Sequence, residues 1–152
     1  MGFQLQFMKQ YLLQSKLIVL SLFLVLLLFT YSCSHKIGFM PSTMVPAAQG
    51  KVKVKKDNNN NYKIDVSLVN LAPPERLQPP YSTYVVWIET AQNGTQNIGQ
   101  LNSSSGLLSK TLKANLEAVS PYKPNRLFIT AENNGAIQYP GATVVLSTEN
   151  FN

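Results

Sequence analysis

The chain has one cysteine, one histidine and one tryptophan in 152 residues, and only seven acidic side chains. A lone thiol forms no internal disulfide, so any domain built here is held by burial and hydrogen bonding. With one histidine and one cysteine, the chain lacks the ligand sets of structural zinc sites. There is no Gly-x-Ser-x-Gly segment and no histidine in the folded part to activate a serine. The histidine is His35, two residues past the cysteine. It lies in a stretch with no pattern that would hold it beside a partner, and it reads as a solvated residue. Long apolar runs are also scarce. Leu17 to Phe29 (LIVLSLFLVLLLF) is such a run. It is shorter than the ~20 residues a membrane-crossing helix needs and fits the ~7–15 of a signal-peptide core.

Lys9 and Lys16 precede this run, and Met8 offers an alternative start. After it come Phe29-Thr30-Tyr31-Ser32-Cys33 and then the polar Ser34-His35-Lys36. This layout resembles the lipobox of bacterial lipoproteins, with Thr30 where an aliphatic residue is usual. Relaxed boxes ending in Ser-Cys are familiar from lipoproteins of the Bacteroidetes group. The resemblance implies that residues 1–32 are a signal peptide and that Cys33 is lipidated. The membrane is then a partner through the N-terminal lipid anchor, and a protein of the envelope is the candidate second partner. Ser34, rather than Asp, resembles the signal for transfer to the outer membrane. The absence of acidic residues just after the anchor points to a protein facing the periplasm. Export disfavours nucleic acid as a partner. Loss of Lys9 and Lys16 lowers the formal charge from +6 to about +4, which indicates solubility and mild attraction to anionic surfaces.

Residues 33–49 carry two prolines, several small residues and no sustained hydrophobic period. They are expected to form a flexible, lipid-anchored tether. From Gly50 the period becomes two. Val52 and Val54 alternate with Lys51, Lys53 and Lys55, and Tyr62, Ile64, Val66 and Leu68 alternate with Lys63, Asp65 and Ser67. Each set reads as a strand with one buried face. The intervening Asp57-Asn58-Asn59-Asn60-Asn61 is turn chemistry, so a hairpin is predicted. Further strands are predicted at Tyr84–Glu89, after Asn93-Gly94 near Asn97–Leu101, at Leu107–Leu116, at Arg126–Glu132 and at Thr143–Ser147, with Asn102–Gly106 a flexible link. About seven short strands punctuated by Gly, Asn and Pro, without helical periodicity, predict a single all-β domain over residues 50–149. Its expected form is an antiparallel β-sandwich or partly open barrel, immunoglobulin-like. Trp87, flanked by Val86 and Ile88, is expected on the core side.

Tyr84-Val85-Val86-Trp87-Ile88, Gly99-Gln100-Leu101, Phe128-Ile129-Thr130-Ala131-Glu132 and Pro140-Gly141-Ala142-Thr143-Val144-Val145-Leu146-Ser147 follow one another in a telling order. Their order and spacing resemble the extracytoplasmic domain of anti-sigma-K-type factors. That family has a Tyr-x-x-Trp strand, a glycine-containing return, a Val-Thr-x-Glu strand and a closing Pro-x-Gly-x-x-Val-Leu segment. The resemblance spans about Tyr84 to Ser147 and implies a small all-β sensory or scaffold domain without catalytic residues. It does not bring sigma-factor binding, which belongs to a separate cytoplasmic helical domain in that family.

Chemistry-bearing patterns are few. Asp57, Asn59 and Asn61 occupy the first, third and fifth places of a calcium loop, but Tyr62 and Leu68 stand where glycine and glutamate are required, so the hairpin turn is the better reading. Asp65, Glu89, Glu117 and Glu132 are the candidates for a glycosidase pair. Lys51, Lys53, Lys55 and Lys56 form the densest charge cluster, read as a solvated face that discourages edge pairing, with anionic headgroups or glycan the alternative contact. Between Ala72 and Tyr81 two Pro-Pro pairs stiffen a loop carrying Arg76, Leu77 and Tyr81, the candidate partner-binding residues. No enzyme activity, metal or cofactor is expected. The leading expectation is a lipid-anchored envelope protein whose β-domain binds, senses or scaffolds. The alternative is a carbohydrate-binding module, with Trp87 or Tyr81 as sugar platform, or a small envelope hydrolase.

Overall fold

The computed structural model describes Lys16, residues 36–105 and residues 112–151. Cys33, and all of the expected signal peptide except Lys16, lie outside the described residues. Among those described, no helix is long and apolar enough to cross a membrane.

The lysine–valine alternation after Gly50 makes β2 (Gln49–Lys56), and the next alternation makes β3 (Tyr62–Val69). They pair antiparallel, with Val52 opposite Val66 and Lys53 opposite Asp65. Asp57 closes the turn between them. Its Oδ1 accepts the backbone N–H groups of Asn59 at 2.8 Å and Asn61 at 2.9 Å. Asn60 takes a φ of 64°, a left-handed conformation that asparagine tolerates well. Both carboxylate bonds serve the backbone, as the turn reading requires.

The other strands are β1 (Lys36–Gly38), β4 (Thr83–Thr90), β5 (Gly94–Gln100), β6 (Asn102–Ser105), β7 (Leu112–Ser120), β8 (Pro124–Glu132) and β9 (Val144–Ser147). They form two antiparallel sheets, ordered β1-β2-β3-β7-β6 and β5-β4-β8-β9, which do not close into a barrel. Leaving β1 aside, the two orders are those of an immunoglobulin-like sandwich, A-B-E-D against C′-C-F-G, and β1 is added beyond the A strand. The inner faces share one core. Val52, Ile64, Val66 and Leu68 come from the first sheet, and Val86, Ile88, Leu127, Ile129 and Leu146 from the second.

Three expectations are corrected. The tether predicted for residues 33–49 is part of the domain from Lys36 onward. β1 pairs with β2, placing Ile37 opposite Val52, and Phe39 bridges to Thr148. The Ser42 hydroxyl donates to the Val145 carbonyl at 2.6 Å and accepts the Val45 N–H at 3.0 Å, while Val45 and Ala48 are buried. A strand of three residues is too short to display a period, so its pattern was invisible. The predicted flexible link after Leu101 contains β6, which pairs with β7. Trp87 does not face the shared core. Alternation along β4 sends Val86 and Ile88 inward and Trp87 to the opposite face, where it is nonetheless fully buried.

Candidate functional site

Thr83 lies opposite Glu132, so the start of β4 and the end of β8 are neighbours. The β3–β4 connection (70–82) and the β8–β9 connection (133–143) therefore emerge at the same end of the sandwich. In the first, Asn70 (φ 58°) turns the chain out of β3. Pro74–Arg76 then makes a 3-10 turn, whose Pro74 carbonyl accepts the N–H groups of Leu77 at 3.2 Å and Tyr81 at 3.1 Å.

The three predicted partner-binding residues separate here. Arg76 is exposed, Leu77 is buried in the core, and Tyr81 is half-buried with its hydroxyl 2.6 Å from Thr143 Oγ1. Leu77 is thus a packing residue, because the turn directs the chain back over the open end of the core. Tyr81 joins the two connections.

The second connection folds over the outer face of the β5-β4-β8-β9 sheet and explains the burial of Trp87. There Val85, Trp87 and Phe128 form a second apolar cluster, against which Ile137 packs. The Trp87 and Phe128 rings are stacked, 6.3 Å between centroids and 13° from parallel. Trp87 Nε1 donates to Thr130 Oγ1 at 2.8 Å, satisfying the indole as burial requires. Arg126 lies 5.7 Å from the Phe128 ring centre and pairs with Glu89 at 3.1 Å.

Polar clasps hold the connection down. Asn97 Nδ2 donates to the carbonyls of Gly135 at 3.0 Å and Ile137 at 2.8 Å, and the Gly141 N–H donates to Glu132 Oε1 at 2.8 Å. A Cβ on residue 141 would stand 2.8 Å from Glu132 Oε2, so a larger residue there would push the carboxylate aside. What the connection leaves outside is Tyr139, 81% exposed. Sequence reasoning missed it. The only signal was Ile137 and Tyr139 alternating between two glycine-marked bends.

A cavity of about 250 Å³ lies under the first connection, between Leu71, Pro73, Tyr84, Leu101 and Lys113. The Tyr84 hydroxyl donates to the Ala72 carbonyl at 2.8 Å. Burial, aided by the charge of Glu75, pushes its pKa up to about 12. An unfolded chain releases that proton near pH 10, whereas the folded protein retains it until about pH 12. Stability conferred by Tyr84 is therefore complete below about pH 10 and falls as pH rises through this window. Denaturant midpoints measured across it are expected to decline more steeply for the native protein than for Tyr84→Phe. Parallel declines would rule this out.

The candidate acids do not converge on a cleft. Asp65 and Glu117 are cross-strand neighbours on the outer face of the first sheet, each near Lys63 Nζ, at 3.6 Å and 3.3 Å. The Glu117 hydrogen bond first, and the Asp65 charge next, hold the Lys63 pKa above its ordinary value. Glu89 is engaged by Arg126 and Glu132 by Gly141. Among the described residues no three His, Cys, Asp or Glu side chains are grouped to hold a metal ion.

No family model, curated protein or solved structure matches the chain. The site can therefore be read only from its own geometry. It offers two clasped connections that present Arg76 and Tyr139 at the end and flank of the sandwich.

Proposed function

We propose that this chain is a lipid-anchored envelope protein whose β-sandwich binds or scaffolds a partner and carries out no covalent chemistry. The observation that carries the binding reading is the clasped pair of connections. Tyr81–Thr143, Asn97 and Glu132 fix the loops in place, so Tyr139 is exposed at little further cost in ordering. Immunoglobulin-like domains commonly recognise partners through the loops at one end, and this analogy supports the same reading. So does the resemblance to extracytoplasmic domains of anti-sigma-K-type factors. The anchor reading is supported by the apolar run, Cys33 and the polar residues that follow.

Cys33→Ser is the test of the anchor. The variant is expected to leave the membrane fraction for the soluble periplasmic extract, and its N-terminus should carry no acyl mass. Full retention of the variant in the membrane would end the proposal. The carbohydrate reading persists in altered form, because Trp87 has no exposed ring face and Tyr139 does. A sugar platform would use Tyr139.

A further inference from the structure

We propose that the outer face of the β1-β2-β3-β7-β6 sheet rests on the anionic phospholipid headgroups of the membrane that holds Cys33. The domain then lies against the bilayer and does not stand away from it. This rests on the lipid-anchor reading above.

Register gathers the lysines. Lys36 stands opposite Lys53, Lys53 opposite Asp65, Lys55 opposite Lys63, and Val69 opposite Lys113. Residues directly opposite one another project to the same face, and alternation adds Lys51. Lys36, Lys51, Lys53, Lys55, Lys63 and Lys113 thus share one face, with only Asp65 and Glu117 as counter-charges there. Six cations against two anions leave a surplus equal to the whole formal charge of about +4 expected for the mature chain. Val119, opposite Lys63 and 61% exposed, adds an apolar contact on that face.

Protection of a sheet edge does not account for these lysines. β2, which carries three of them, is paired by β3 along its whole length and by β1 over Lys51–Lys53, so two of the three do not lie on a free edge. The other sheet's outer face offers no rival, since Arg126 is matched by Glu89 and residues 133–143 cover the centre.

Chain length brings the face to the bilayer. Lys36 is the third residue after Cys33. Three residues span at most about 10 Å in any conformation, roughly one Debye length in physiological salt. Within that distance a basic face is attracted to anionic lipid, and neutral lipid offers it nothing comparable.

The test uses the compact unit Ser34–Asn152 without an acyl chain, so its outcome does not depend on whether Cys33 is modified. That separate question is answered by Cys33→Ser. Co-sedimentation is measured with vesicles of phosphatidylcholine alone and of phosphatidylcholine mixed with phosphatidylglycerol. Binding is expected only to the mixed vesicles, weakening as salt rises. The triple variant K51E/K53E/K55E should lose about ten-fold or more in affinity, while Lys123→Glu, off this face, should bind normally. K51Q/K53Q/K55Q, checked for an unchanged melting temperature, guards against a folding defect and should also weaken binding. Equal binding by the triple variants, equal binding to neutral vesicles, or binding to soluble polyphosphate without binding to vesicles would each overturn the proposal.

Discussion

Replacing Trp87 with alanine is expected to destabilise the protein by about 3–5 kcal/mol, the range for removing a large aromatic side chain from a packed interior. The indole is fully buried, stacks on Phe128 and donates to Thr130 Oγ1, itself fully buried. Truncation opens a void and also leaves that hydroxyl without its donor, two costs that fall together. Against a typical total of about 5–15 kcal/mol the loss is large. Its location gives it a second signature. Trp87 supports residues 133–143 from below, so the variant should be cleaved near Tyr139 by added protease well before the rest of the sandwich yields. Trp87→Phe keeps a ring in place and should cost less. Urea unfolding followed by circular dichroism gives the energies, since the variants lack the single tryptophan as a fluorophore. A loss under about 1 kcal/mol for Trp87→Ala, far below the large-to-small range, would mean that the indole is not packed as described.

The same residue shows how far sequence patterns reach. That Tyr84–Ile88 is a strand was legible from its β-branched and aromatic content. Which face each side chain takes was not, because all five residues are buried and the alternation that would assign them is erased. The cover responsible, residues 133–143, has no period of its own and is held by Asn97 and Glu132, contacts set by the fold. Hence Tyr139 could not be recognised as the exposed aromatic. The β2–β3 hairpin is the opposite case. One face is apolar, the other charged, and the turn carries Asp57 and Asn60, so pattern and local chemistry agree. In β7 the inward positions Ala114 and Ala118 are small, which blunted the alternation and blurred the strand's limits. Leu77 was misread for a related reason. A proline-rich loop was taken as outward-facing, whereas its 3-10 turn points the leucine into the core.

A chain shortened to begin at Gly50, the boundary suggested by the onset of alternation, is expected to be markedly less stable than one beginning at Ser34. The deleted residues lose their own burial but also their ordering cost, and these two terms largely offset each other. What remains is the surface they uncover. Val52 loses Ile37 opposite it, and Val145 and Thr148 lose the segment held by Ser42 and Phe39. If these neighbours regain on the order of 100 Å² of apolar area, ~25 cal/mol/Å² gives a penalty of about 2.5 kcal/mol. The shortened chain also leaves β2 unpaired on one side, and lysines at its outward positions would then slow edge association without replacing the lost hydrogen bonds. Urea midpoints of the two chains, with amide exchange on β2, make the comparison. The expected result is a lower midpoint and faster exchange at Val52 and Val54. Matching midpoints would mean that β1 and residues 39–48 lie on the domain without stabilising it, and the tether reading would be restored.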